Sequence, residues 1–61
     1  MNNYLVTVTV IDPDTGKYNI EIPVQAKTAA HAKRIAHKTA RQIGACYITE
    51  LTAEKRYYDE H

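Results

Sequence analysis

The sequence predicts an α+β fold, an antiparallel sheet with one helix packed on one face, in the order strand, strand, helix, strand. Three observations predict it. Two segments of alternating apolar and polar residues flank a short turn sequence, Asp12-Pro13-Asp14-Thr15-Gly16. An alanine-rich segment follows with apolar residues at helical spacing, and a third short alternating segment comes after a glycine. With 61 residues the chain forms one domain, 1–61, whose core is necessarily economical.

In residues 4–11 (YLVTVTVI), Tyr4, Val6, Val8 and Val10 fall on one side and Leu5, Thr7, Thr9 and Ile11 on the other, with a high β-branched content. This is a first strand. The following D-P-D-T-G joins a proline that presets φ, aspartates that bond back to the local backbone, and a glycine that accepts positive φ, so it reads as a hairpin loop. Residues 17–24 (KYNIEIPV) return as a second strand, with Tyr18, Ile20, Ile22 and Val24 on one side, and Pro23 points to a sheet edge.

Thr28 is an N-cap for a helix over 29–43, about 22 Å long. At 100° per residue, Ala29, Ala32, Ile35, Ala36, Thr39, Ala40 and Ile43 form an apolar stripe. Lys33, Arg34, His37, Lys38 and Arg41 are expected opposite it. Gly44 supplies the left-handed residue that ends the helix. A third strand is expected over 45–51 (ACYITEL), with Cys46 and Ile48 on one side and Tyr47, Thr49 and Leu51 on the other. Alternation alone does not choose which set meets the helix. Residues 52–61 either add a fourth strand through Arg56-Tyr57-Tyr58 or remain a charged tail. One sheet face is left uncovered. It carries Leu5, Thr7, Thr9 and Ile11, as a solvated face or as a surface for a partner or a second copy.

Composition excludes several classes of function. No apolar run approaches the roughly 18 residues of a membrane span, and the N-terminus has no charged region followed by an apolar block, so neither export nor membrane association is expected. The single cysteine, Cys46, has no intramolecular partner and reads as a small core residue in a reducing, cytoplasmic setting. His31 and His37, six apart on one helix, diverge by about 240° and do not clamp one metal ion. Both glycines, Gly16 and Gly44, are accounted for by turn and cap, leaving none for a phosphate loop. No carboxylate pair is evident. The chain is therefore expected to be a binding protein, with no catalytic residues, no metal and no cofactor.

The chemistry that is present is electrostatic. The net charge is only +1, but no Asp or Glu occurs in residues 22–49, which hold Lys27, Lys33, Arg34, Lys38 and Arg41. Asp12, Asp14 and Glu21 precede that stretch, and Glu50, Glu54, Asp59 and Glu60 follow it. Arg34 and Lys38 put like charge one turn apart, and His37 stands one turn before Arg41, an arrangement that costs helix stability. Two readings of this face are open. It is a solvated surface, or it meets an anionic partner, either nucleic-acid phosphate or an acidic protein groove. Tyr57 and Tyr58 beside Arg56 form a second candidate contact patch.

The string from Val24 to Lys38, V-Q-A-K-T-A-A-H-A-K-R-I-A-H-K, resembles the small phage-borne anti-CRISPR proteins of the type I-F inhibitor group. In them a strand ending in alanine leads through a capping Ser or Thr into a helix beginning A-K-R-I-A, with a lysine two residues on and a glycine before the next strand. The matching residues here are Ala26, Thr28, Ala32-Lys33-Arg34-Ile35-Ala36, Lys38 and Gly44, over about 25 residues. The resemblance implies an inhibitor in the host cytoplasm. It would bind the crRNA-bearing backbone subunits of a type I CRISPR surveillance complex, near or on DNA, and block target hybridisation. It also implies contact roles for Lys33, Arg34 and Lys38 and for Tyr4 on the first strand; His37 and Arg41 join them from the helix face. The chain departs from the family after Gly44, where its C-terminal part is shorter. Other readings are a small phage nucleic-acid-binding accessory protein and a dimerising structural protein, and the expected state is a monomer or weak homodimer.

Overall fold

A computed structural model describes residues 1–57 and contains β1 (Asn2–Asp12), β2 (Gly16–Ala26), α1 (Ala29–Gln42) and β3 (Tyr47–Arg56). The α+β reading and its strand, strand, helix, strand order hold. The sheet is antiparallel with order β2-β1-β3, so β1, the most apolar strand, is central. Residues 58–61 lie outside the described residues, and with them the Tyr58 half of the tyrosine patch and the acidic pair Asp59 and Glu60. Among the described residues no helix is long and apolar enough to cross a membrane.

The hairpin loop works as its residues require. The Asp12 carboxylate accepts from the backbone N–H of Asp14 at 2.7 Å and of Thr15 at 3.3 Å, holding the turn closed. Gly16 takes φ +88° where the chain re-enters the ladder opposite Asp12. From there β2 pairs with β1 without interruption, Asp12 against Gly16 through Asn2 against Ala26.

Both ends of α1 are capped. The Thr28 hydroxyl accepts from the His31 backbone N–H at 3.1 Å. At the other end Gly44 has φ +105°, its N–H bonds the Arg41 carbonyl, and the Ala45 N–H bonds the Ala40 carbonyl at 3.0 Å. That double closure is a Schellman ending, and its usual apolar contact is made by Ala40 and Ala45, both buried. The last helical residue is Gln42. Ile43, expected in the apolar stripe, is the cap residue and is 66% exposed, because the helix ends before its side chain reaches the sheet.

The core is built from small side chains. Ala32, Ala36 and Ala40 are fully buried on the inner face of α1, and Val6, Val8 and Val10 are buried on the face of β1 beneath it, with Tyr4, Val24, Ala26 and Ala45 at the margins. Methyl groups let the helix approach the sheet closely enough to exclude water from the valines. Ile20, Ile22, Ile35, Ile48, Leu51 and Ala53 pack around this centre, half-buried.

The third strand differs most from expectation. It begins at Tyr47, not Ala45, and runs on to Arg56, so residues 52–56 extend one strand and do not start a fourth. Register explains why alternation did not choose its face. Thr9 pairs with Glu50 but Val10 pairs with Ile48, so Thr49 is an extra, unpaired residue at a β-bulge. The Thr49 hydroxyl donates to the Thr9 carbonyl at 3.4 Å. The bulge flips the alternation once, so Ile48 and Leu51 share the helix side with Ala53. Cys46 is exposed in the connection before β3, its thiol 3.6 Å from the Gly44 carbonyl, and is not a core residue.

Replacing Ala36 with Leu inserts bulk where none fits. Thermal unfolding followed by circular dichroism should show Ala36→Leu destabilised by about 1–3 kcal/mol, a drop of roughly 5–20 °C in Tm for a chain of this size. An unchanged Tm would mean that the alanine contact is not tight.

Candidate functional site

The outer surface of α1 follows from the alanine stripe inside it. Counting 100° per residue from Ala36, Arg41, Arg34, Lys38 and His31 fall within an arc of about 80° centred opposite the sheet, and all four are exposed. Lys33 and His37, expected on that face, fall on its flank at about 60° and 100° from Ala36 and are half-buried. Ile35 and Thr39 occupy the other flank, and the Thr39 hydroxyl donates to the Ile35 carbonyl at 3.0 Å.

Tyr4 is not part of this surface. It is 8% exposed and belongs to the core, on the same face of β1 as Val6, Val8 and Val10, because strand alternation gives it no choice. Tyr4 thus packs into the core, away from the outer face of the helix. What remains exposed of Tyr4 lines shallow depressions at the end of the sheet, beside Asn3, Val24 and Gln25 and beside Leu5, Arg56 and Tyr57. Tyr57 itself is 82% exposed, with the Lys55 ammonium 5.3 Å from its ring centre.

The far side of the sheet is chemically different. By register Leu5 lies between Pro23 and Glu54, Thr7 between Glu21 and Thr52, Thr9 between Asn19 and Glu50, and Ile11 between Lys17 and Tyr47. All three described glutamates therefore stand on the open face, with Lys17 and Arg56 at its ends. The Thr9 hydroxyl donates to the Asn19 side-chain oxygen at 3.0 Å, and Thr9 is buried although among the described residues no element covers the face. Charge segregation in the sequence thus becomes segregation across the sheet. Among the described residues the one ion pair is the exposed Arg56–Glu54 contact at 3.7 Å, and no carboxylate reaches Lys33, Arg34, Lys38 or Arg41.

The sequence pointed to Arg34, Lys38 and Arg41 through helical spacing alone. His31, which the same 100° count sets beside these cations, shares their outer arc. No protein-family model, no curated protein and no solved structure matches the chain.

Two measurements check this geometry. Arg34→Glu places a carboxylate one turn before Lys38 and relieves the repulsion there, so it should raise stability by about 0.3–0.5 kcal/mol at low salt, an effect that shrinks in 1 M NaCl. A destabilised variant would show that the like charges are not neighbours. Cys46 in the native protein should react with Ellman's reagent within about tenfold of its rate in denaturant, since no folded structure shields it. Strong protection would return the thiol to the core.

Proposed function

We propose that this chain is a non-catalytic binding protein whose α1 outer face docks on an anionic surface, and that it inhibits a type I CRISPR surveillance complex by obstructing target-DNA binding. The observation that carries the first half is the set Arg34, Lys38 and Arg41 on one exposed helix face, with no carboxylate within pairing distance among the described residues. The helix accepts like-charge repulsion there, and the glutamates that would relieve it are on the opposite side of the sheet. An anionic partner supplies the missing countercharge. The face is also rigid. It stands on a capped helix whose inner side is locked against the sheet, so docking orders little backbone.

The second half rests on the resemblance of the segment Val24 to Lys38 to type I-F inhibitors. The geometry is compatible with it. The guide RNA backbone and the incoming DNA are the anionic features of such a complex, and a cationic helix is attracted to them where an acidic DNA mimic would be repelled. Lys33 and His37 act from the flank in this reading, Arg34, Lys38 and Arg41 from the centre.

The test is a pull-down of purified type I surveillance complexes, followed by target-DNA binding to whatever complex is retained. Retention with loss of target binding is expected. The double variant Arg34→Glu, Arg41→Glu, which leaves Lys38 flanked by carboxylates, should stay folded and lose more than about 100-fold in affinity. Full inhibition by that folded variant would remove the helix face from the site. Salt-sensitive binding to DNA without any complex, and retention by none, would replace the CRISPR partner with nucleic acid itself.

A further inference from the structure

β1 is paired on both sides, so among the described residues the sheet has two free edges, and they differ. β2 carries Pro23 opposite Leu5. Proline has no N–H, so it fits this ladder with its nitrogen turned away from β1, which leaves the outer edge of β2 without a donor at its middle. β3 has no proline, and beyond the bulge at Thr49 its residues 50–56 form a regular stretch of seven. Alternation then fixes the directions of its backbone groups. Because Leu5 does not bond Pro23, it bonds Glu54, and the outward N–H and C=O groups of β3 belong to Leu51, Ala53 and Lys55.

We propose that the free edge of β3 pairs antiparallel with the same edge of a second copy, centred on Ala53. In this register Ala53 bonds Ala53 of the other copy, Leu51 pairs with Lys55, and Glu50 stands directly opposite Arg56, twice by symmetry. The Glu50–Arg56 pairs are the non-hydrogen-bonded kind, in which side chains approach most closely. Neighbouring registers are unfavourable. Centring on Thr52 sets Glu50 against Glu54 twice, and centring on Glu54 sets that glutamate against itself. The edge charges thus oppose the two adjacent registers and favour the alignment centred on Ala53.

Packing agrees with the charges. On the helix side of β3, Leu51 and Ala53 are only half-buried under α1, and pairing sets Ala53 against Ala53 and Leu51 against the aliphatic stem of Lys55 of the other copy. The symmetry axis stands perpendicular to the sheet, so both helices lie on one face of a six-stranded sheet. Two β1 strands three spacings apart are about 14 Å from each other, and helices pack at about 8–10 Å, so the helices fit side by side without collision. This interface is independent of the partner proposed above, and it turns the two cationic helix faces in one direction.

Sedimentation equilibrium of the protein alone, up to on the order of 1 mM, should show a reversible monomer–dimer equilibrium with no larger species. Glu50→Arg and Arg56→Glu should each weaken dimerisation about tenfold, with circular dichroism unchanged, and the double variant should restore it. A monomer at every concentration overturns the proposal. So does a dimer indifferent to both single reversals, or one that the double variant fails to rescue.

Discussion

The contact of three alanines with three valines is the constraint on which the rest depends. Ala32, Ala36 and Ala40 expose nothing to solvent, and neither do Val6 and Val8 below them, with Val10 nearly as buried. A 61-residue chain has little apolar surface to bury, and bulky residues between helix and sheet would raise the helix and let water reach the strand. Small side chains solve this by bringing the two backbones together. Once the inner stripe is committed to alanine, charge has only the outer arc and the flanks to occupy.

That geometry ties the fold to its surface chemistry. The helix is anchored by features that leave the outer face free: a threonine hydroxyl at the start, a glycine-centred closure at the end, and methyl contacts along the inside. None of these uses a lysine or arginine side chain. The cations are therefore available, and their mutual repulsion is borne by the caps and the core. Glutamates placed on the other side of the sheet keep the net charge near neutral while leaving the helix face unbalanced.

The first two strands, the hairpin and the helix were legible because each has a period or a punctuation mark that tertiary contacts had no reason to override. Val6, Val8 and Val10 alternate without a break, and Thr28 and Gly44 mark the helix within two residues of its ends. The third strand was not legible in the same way. A bulge at Thr49 breaks period two, and nothing in T-E-L-T announces it, because the extra residue is set by what β1 offers opposite. Cys46 and Ile43 were misplaced for a related reason: apolar character does not say that an element has already ended. Of the candidate contact residues, Arg34, Lys38 and Arg41 follow from spacing, Lys33 and His37 shift to the margin, and Tyr4 was assignable to the core from its alternation with Val6 alone.

Pro23 has a consequence for how far association can travel. A sheet with two equivalent open edges is a template that renews itself with every chain added, and the product is a fibre. Here a chain joined through β3 presents only β2 as the new rim, and that rim lacks a backbone donor at its centre. Growth has a beginning and no continuation. In the proposed pairing, one imino acid in an edge strand would stop assembly at two chains and keep a short, β-rich chain from seeding a polymer.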